Sequence, residues 1–429
     1  ATSGRPGPVV IDVPKNMTDP NYKFDYKYPK DLVMRSFPIL GKGDDEKIAA
    51  AIELFRSAKK PVIYSGGGTI QADASKELTE FSKLIGCPVT NTLMGLGAFP
   101  GNDDQFVGML GMHGTYEANM VMSEADLIFN VGARFDDRIT NNPSKFGLAA
   151  KKIHIDSDPS SIDKIIGVDL AIEGDAKLVM QQLIEQVKAS GFDQAIYKDW
   201  WSKVEAWRKA HGLNHDMLNL KNDQDIILPQ QVIQSLYQTT KGDAYVTSDV
   251  GQHQMFAAQY YKFKDPRKWI NSGGLGTMGF GLPSAMGVKF AFPEADVACV
   301  TGEGSIQMCI QELSTCGQYG LPIKIINLNN RALGMVKQWQ DMQYGGRYSS
   351  ISYEDSLPDF VKLAESFGHV GIKVDKLSEL NDAMKESFAM KDKLVFLDVL
   401  VDPDEHVYPM LEAGGSMSEM RLSKDKKTF

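Results

Sequence analysis

The sequence predicts an α/β protein built from two successive domains, each a doubly wound parallel sheet. Three observations predict this fold class. Short apolar runs typical of buried strands alternate with stretches of helical periodicity, which favours βα units and parallel pairing. Several of these runs end in glycine-containing turns, and 429 residues suit two or three domains of roughly 150 residues each. Ligands of such sheets bind beyond the carboxyl ends of the strands, so the glycine turns mark the candidate sites.

The first 38 residues resemble neither sheet domain. Residues 9–13 form a short buried-strand pattern that ends at Pro14, and 16–38 is a polar, Tyr- and Pro-rich stretch typical of a linker. The chain opens without Met. We therefore expect residues 1–38 to be the end of a preceding domain followed by a linker.

Residues 39–190 are the first predicted sheet domain, and residues 191–225 are a predicted connector rich in Trp. In the domain, a helical pattern over 45–57 precedes a strand at 61–64, which runs into the glycine turn 66–68. Further strands are predicted at 88–90, 126–131 and 152–156, with helices at 76–84 and 177–189.

Residues 226–402 are the second predicted sheet domain. A helix is expected over 229–237, and glycine-rich residues 273–287 open another. Strands are predicted at 244–248, 297–301, 323–328 and 394–401. The tail 403–429 contains Gly and Met and is expected to be a mobile lid.

Composition excludes several function classes. The net charge of −9 gives no general attraction to nucleic acid or to anionic membranes, so we expect neither as a partner. There is no apolar run of roughly 18 residues that could span a membrane. The four cysteines lack metal-ligand spacing, which favours reduced thiols in a cytoplasmic, bacterial-like compartment. An organelle remains open, because the sequence reads like the middle of a protein whose N-terminus is absent.

The strongest chemical signal is a glycine turn that carries one carboxylate. Gly302, Glu303, Gly304 and Ser305 follow a predicted strand, and an Asn pair at 329–330 follows the next one. The residues between them suit one helix over 306–318 and one strand, so turn and Asn pair should meet at one sheet edge. Glycines let the backbone approach a diphosphate, and carboxylate and amide oxygens suit a divalent cation that neutralises it.

This pattern resembles the thiamine-diphosphate fingerprint, in which the turn usually carries Asp where this chain has Glu303. The longer side chain still reaches a metal, although Mg²⁺ demands near-octahedral geometry. Further runs are similar to the catalytic large subunits of the acetohydroxyacid synthase (acetolactate synthase) family, across essentially the whole chain. They are 111–115, 134–138, 249–254, 273–279 and 333–340.

The resemblance implies three domains: an N-terminal one that holds the cofactor pyrimidine, a central FAD-binding one, and a C-terminal one that binds the diphosphate. Residues 1–14 match the end of the first. The glutamate that activates the cofactor in this family belongs to that N-terminal domain, so no residue here is assigned the role. The 429-residue chain alone is therefore expected to lack carboligase activity.

By the same resemblance, thiamine diphosphate, Mg²⁺ and FAD are the expected cofactors. Met278 would lie under the thiamine diphosphate, and Met335 and Trp339 would line the pocket of the second keto acid. The Mg²⁺ ligands would be Glu303, Asn330 and the carbonyl of Ala332, and the diphosphate contacts Gly251, Gln252, His253, Gly302, Gly304 and Ser305. For FAD, which serves no net redox step in this family, the implied residues are Arg5, Gly66, Gly67, His113, Gly114, Thr115, Arg134, Asp156 and Asp175.

The implied reaction is decarboxylation of pyruvate and carboligation to a second 2-keto acid, either pyruvate or 2-oxobutyrate. It begins the synthesis of branched-chain amino acids. The implied assembly is a homodimer or homotetramer of large subunits with a small regulatory subunit. Two alternatives stay open: a related pyruvate oxidase, in which FAD accepts electrons, and a non-catalytic cofactor-binding fragment.

Overall fold

The computed structural model describes residues 1, 5–28, 41–220, 225–353 and 355–428. Two stretches of the predicted linker and connector, 29–38 and 221–224, therefore lie outside the described residues. The strands are β1 Pro61–Ser65, β2 Val89–Asn91, β3 Phe106–Met109, β4 Leu127–Val131, β5 Lys151–Asp156, β6 Leu170–Glu173, β7 Tyr245–Ser248, β8 Trp269–Asn271, β9 Val297–Thr301, β10 Lys324–Asn329, β11 Val370–Val374, β12 Val395–Leu400, β13 Met410–Leu411 and β14 Met420–Arg421.

The α-helices alternate with these strands, as the sequence predicts. They are α1 Asp45–Ser57, α2 Gly67–Gln71, α3 Ser75–Ile85, α4 Tyr116–Glu124, α5 Asp137–Thr140, α6 Ala176–Ser190, α7 Lys198–His211, α8 Pro229–Thr240, α9 Gln252–Tyr260, α10 Gly281–Ala291, α11 Glu303–Ile306, α12 Glu312–Tyr319, α13 Gly334–Tyr344, α14 Phe360–Ser366 and α15 Leu377–Ala389. Among the described residues, no helix is long and apolar enough to cross a membrane.

The first sheet has the strand order β3-β2-β1-β4-β5-β6, with every pair parallel. Its central strands are buried on both faces because helices cover both. In β1, Ile63 packs into one apolar cluster while Val62 and Tyr64 pack into the cluster on the opposite face. Side-chain oxygens of Asp44 and Asp175 cap α1 and α6. The predicted doubly wound sheet is confirmed.

The second sheet has the order β11-β12-β10-β9-β7-β8 and is also parallel throughout. From β7 the chain passes through α9 to β8 on one side, and then through α10 to β9 on the other side of β7. The direction of winding therefore reverses between β7 and β9. A crevice opens at such a reversal, beyond the carboxyl ends of the two strands.

Two local predictions are wrong. Residues 9–13 are exposed and form no strand, because an isolated extended run finds no partner strand in the described part of the chain. The single helix predicted over 306–318 is divided into α11, a 3-10 turn at Gln307–Cys309, and α12.

Segments outside the sheets pack onto the first domain. In α7 of the connector, the indole N–H of Trp200 donates to Pro61 O over 3.1 Å, and that of Trp201 donates to Gly86 O over 2.7 Å. The tail forms the β13–β14 hairpin, which buries Leu411 and Met420 against the first domain. In this structure the tail is docked, and its mobility as a lid stays a prediction, as do the domain boundaries.

Candidate functional site

A buried aspartate fixes the crevice between β7 and β9. Asp249 follows β7, and its two carboxylate oxygens accept hydrogen bonds from Gly281 N over 2.8 Å and from Thr301 Oγ1 over 2.6 Å. These contacts tie the end of β7 to the start of α10 and to the end of β9. The glycine turns after β7 and β9 are thereby held side by side.

The two turns leave no room for side chains beside His253. A Cβ on Gly302 would lie 2.9 Å from Nδ1 of His253, and one on Gly251 would lie 2.7 Å from its Cε1. A Cβ on Gly304 would lie 2.6 Å from the Tyr353 hydroxyl. The imidazole Nε2 of His253 is buried without a hydrogen-bond partner among the described residues. The glycines therefore let the His253 ring approach both turns, and together they line a cradle whose wall contains one buried, unpaired polar atom.

Glu303 and Asn330 place oxygen atoms at the same point of this cradle. The N–H of Ala332 donates to Glu303 Oε1 over 2.6 Å and lies 3.2 Å from Asn330 Oδ1, which also accepts from it. Glu303 is 1% exposed. Burial raises its pKa to about 7, and the nearby Asp398 carboxylate adds to that rise. The structure shows the N–H of Ala332 in this contact, and cation binding by its carbonyl stays a prediction.

The donor set of the cleft fits a diphosphate with a divalent cation. None of the described residues lining it is Lys or Arg, and burial lowers the pKa of His253 to about 4, so its ring is neutral near pH 7. A dianionic ligand beside the Glu303 carboxylate would repel it unless a cation lay between them. In the described ranges, no group of three or more His, Cys, Asp or Glu side chains is arranged to hold a metal ion. Amide and main-chain oxygens would have to complete a cation site, and the carboxamide oxygen of Asn330 is placed to do so.

The structure brings most of the implied cofactor residues into one cleft. Met278 and Met335 supply apolar surface in it, and Val336 extends that surface. Trp339 does not line it, although it lies one helical turn beyond Met335 on the same face of α13. The implied residues that do line it are Gly251, Gln252, His253, Met278, Gly302, Glu303, Gly304, Ser305, Asn330, Ala332 and Met335.

The residues implied for FAD follow the carboxyl ends of the strands of the first sheet. Gly66 packs so closely on Gly132 that a Cβ there would overlap the Gly132 carbonyl oxygen. Gly67 begins α2. Arg134 follows β4, and its Nη2 lies 3.8 Å from Oδ2 of Asp136. Asp156 ends β5, next to β4 in the sheet.

Other residues of this set have contacts within the fold. Arg5 donates to Asp158 over 2.5 Å. Thr115 and Asp175 cap α4 and α6, and a Cβ on Gly114 would lie 2.6 Å from Met109 O. His113 is 4% exposed, and neither ring nitrogen has a hydrogen-bond partner in the described part of the chain. These unpaired atoms and the shared sheet edge are compatible with a further ligand there.

Sequence reasoning missed three side chains around the cleft. Tyr353 lies over Gly304, and burial, together with the neighbouring Glu303 carboxylate, raises the pKa of its phenol. Gln338 is fully buried and His406 nearly so, and both contact Gln252. No sequence pattern pairs these distant positions, because a three-dimensional hydrogen-bond network connects them.

Comparison with known proteins agrees with this geometry. The family described as "Thiamine pyrophosphate enzyme, C-terminal TPP binding domain" matches residues 249–399, and "Thiamine pyrophosphate enzyme, central domain" matches 48–183. The first match covers both glycine turns, Glu303 and Asn330. The second covers the first sheet.

Full-length similarity extends to curated enzymes. The acetolactate synthase large subunit of Haemophilus influenzae is 53% identical over 428 residues, which are 100% of this chain and 74% of that protein. The acetolactate synthase isozyme 3 large subunit of Escherichia coli is 54% identical over 432 residues, which cover 100% of this chain and 74% of that protein. The acetolactate synthase large subunit of Corynebacterium glutamicum is 40% identical over 432 residues, covering 100% and 68%. The chain therefore belongs to the acetolactate synthase large-subunit family of thiamine pyrophosphate enzymes.

Proposed function

We propose that the protein carrying this chain decarboxylates pyruvate and joins the resulting two-carbon unit to a second 2-keto acid. With pyruvate as acceptor, two pyruvates give one 2-acetolactate and one CO₂. With 2-oxobutyrate as acceptor, the product is 2-aceto-2-hydroxybutyrate. One observation carries the proposal: the cleft between β7 and β9 gathers two glycine turns, one buried carboxylate and an Asn amide beside an apolar wall.

The chain's own residues supply binding and orientation. Thiamine diphosphate, when bound, supplies the electron sink for decarboxylation and the carbon nucleophile for carboligation. The first N–H groups of α9, at Gln252 and His253, have no intrahelical partners and point toward the cleft end of the helix, where they favour an anion. Glu303 and Asn330 would hold Mg²⁺ against the diphosphate.

The apolar side chains would control the acceptor. Met278 and Met335 line the cleft with apolar side chains, which would keep water away from the reacting atoms. Trp339 would add an aromatic surface for the larger acceptor from its place one turn along α13. A hydrophobic pocket discriminates one methylene by about 1–3 kcal/mol, so this surface would bias acceptor choice without making it absolute.

FAD would bind at the carboxyl edge of the first sheet, where Gly66, Arg134 and Asp156 follow adjacent strands. Large subunits would associate as a homodimer or homotetramer with a small regulatory subunit, in a bacterial-like cytoplasm. The relatives' name as large subunits supports the regulatory partner.

Product analysis tests the proposed function. The intact protein that carries this chain is incubated with pyruvate, thiamine diphosphate, Mg²⁺ and FAD, and 2-acetolactate is measured after its conversion to acetoin in acid. We expect acetolactate and CO₂ in equal amounts, and no product when a chelator removes Mg²⁺. Acetate or acetyl phosphate with reduction of the flavin would show a pyruvate oxidase instead, and no turnover of pyruvate would overturn both.

A further inference from the structure

The side chain of Gln252 has no hydrogen-bonding capacity left for a phosphate. Its Oε1 accepts from Asn330 Nδ2 over 3.1 Å. Its Nε2 donates to Gln338 Oε1 over 2.9 Å and lies 3.3 Å from Nδ1 of His406. The side chain is buried, so breaking these bonds to reach a ligand would leave buried polar atoms unpaired.

The contact with Gln252 determines which end of the Asn330 carboxamide faces the cradle. A carboxamide presents two donors on nitrogen and an acceptor on oxygen, and only the oxygen ligates a hard cation. Because Nδ2 of Asn330 donates to Gln252, its Oδ1 lies on the side of Ala332 N and Glu303 Oε1. The bond to Gln252 thus selects the orientation in which two oxygens converge.

Gln338 holds Gln252 in turn. Its Oε1 accepts from Gln252 and also from Val407 N over 2.9 Å, while its Nε2 donates to Val407 O over 3.2 Å. A single carboxamide therefore bonds both main-chain polar groups of Val407, as a neighbouring strand would. Since Gln338 is 0% exposed and does not line the cleft, it acts on the site only through Gln252.

His406 completes the restraint. Its Nε2 lies 2.8 Å from Asp341 Oδ2, so Nε2 is the donor and Nδ1 is left to accept from Gln252. Lys337 donates to the same Asp341 oxygen over 3.3 Å and to Asp404 over 2.7 Å. Both protons of the Gln252 amide are then engaged by groups that are themselves held.

We propose that Gln252 is a positioning residue that orients Asn330 for the divalent cation, and that Gln338, bonded to Val407, keeps Gln252 in that orientation. The inference rests on the proposed function, because it assumes a cation between Glu303, Asn330 and a diphosphate. It assigns to Gln338 and to the Val407 backbone an effect on cation affinity without any contact to the cation.

Substitutions in α13 test this. Gln338→Met removes the hydrogen bonds and keeps the side-chain length, and Gln338→Glu restores an acceptor for Gln252 and for Val407 N. Gln340→Met is the matched control, because Gln340 bonds the backbone of Ser349 in the same two-bond manner and touches none of this network. Circular dichroism and thermal unfolding of each variant establish that it folds.

The measured quantities are the Mg²⁺ dissociation constant with thiamine diphosphate present, and the thiamine diphosphate dissociation constant at saturating Mg²⁺, both on the intact protein. Partners of metal ligands typically change metal affinity about 10–100-fold. We expect Gln338→Met to weaken Mg²⁺ binding about tenfold, with little change in thiamine diphosphate affinity at saturating Mg²⁺, and Gln338→Glu to recover most of the loss. Gln340→Met should match the wild type.

Each outcome decides the inference. Unchanged Mg²⁺ affinity in folded Gln338→Met, or equal loss in Gln340→Met, overturns it, and so does equal weakening of both ligands, which indicates a distorted cleft. If Gln338→Met does not fold, Gln252→Met is measured in its place. It must then weaken Mg²⁺ binding with little change in thiamine diphosphate affinity at saturating Mg²⁺. Failure of the wild type to bind Mg²⁺ with thiamine diphosphate contradicts the proposed function itself.

Discussion

The N–H of Ala332 donates to the carboxylate of Glu303 over 2.6 Å, across the gap between the turn after β9 and the turn after β10. The Glu303 side chain is thus both a candidate cation ligand and a bond that closes the loop carrying Asn330. Its length matters for this contact, because it spans from one strand end to the next. The two roles can be separated by substitution.

Glu303→Ala and Glu303→Gln should differ in stability while sharing a loss of cation affinity. Alanine removes the shorter hydrogen bond of the Ala332 N–H, the one to a charged acceptor, and leaves only the longer one to Asn330 Oδ1. We expect this loss to cost about 1–3 kcal/mol of unfolding free energy. Glutamine keeps an acceptor and removes the charge, so it should unfold within about 1 kcal/mol of the wild type. Denaturant unfolding without cation measures the difference. Equal destabilisation by both substitutions would contradict the loop-closing role.

Gly334→Ala should weaken cation binding although alanine is the better helix former. A Cβ on Gly334 would overlap Gln252 Oε1, at the bond from Asn330. Gly317→Ala in α12 is the control, because its Cβ would meet its nearest atom at 3.6 Å. We expect Gly334→Ala to weaken Mg²⁺ binding about tenfold, and Gly317→Ala to leave it unchanged with up to about 1 kcal/mol added stability. Isothermal titration calorimetry gives the Mg²⁺ affinities. Equal affinities of Gly334→Ala and the wild type would contradict the close contact between Gly334 and Gln252.

Burial of His113 predicts a loss of stability in acid. Burial lowers the pKa of His113 from 6.5 to about 4, so the unfolded chain binds more protons than the folded one between these values. Stability is therefore lost as pH falls from 6.5 towards 4, by about 1.4 kcal/mol per unit for this group. His113→Phe removes the titrating ring. On going to pH 5, its free energy of unfolding should therefore fall by about 2 kcal/mol less than that of the wild type.

Urea unfolding of the flavin-free protein at pH 7.5 and at pH 5 measures this difference for His113→Phe. Folding favours the neutral form of the His113 ring, so acid lowers the free energy of unfolding. Wild-type and variant curves that shift in parallel between the two pH values would show that His113 does not titrate in this range.

Trp339 should affect the choice of acceptor more than the binding of cofactor. Trp339→Leu removes an aromatic surface beside Met335, and we expect the ratio of 2-aceto-2-hydroxybutyrate to 2-acetolactate to fall about tenfold when pyruvate and 2-oxobutyrate compete. Cofactor affinity should stay unchanged because Trp339 does not line the cleft. Chromatographic separation of the two products gives the ratio. An unchanged ratio would contradict a role of Trp339 in the choice of acceptor.

Much of the fold and site could be predicted from the sequence because local patterns encode them. Buried strands such as β9 can be read from their apolar runs. The turn after β9 can be read from Gly302, which follows the strand directly. The break after α11 was not predictable, since no Pro or Gly marks it between residues 306 and 316. The same holds for the contact of Gln338 with Val407, which depends on where the tail docks.

A cation held by Glu303 is tested most directly by the cation dependence of thiamine diphosphate binding, measured by calorimetry on the intact protein and on its Glu303→Gln variant. We expect tight binding to the wild type with Mg²⁺, loss of binding in a chelator, and binding at least about tenfold weaker to Glu303→Gln at the same Mg²⁺ concentration. Binding of equal strength with and without Mg²⁺, or to the wild type and Glu303→Gln alike, would contradict a cation held by Glu303.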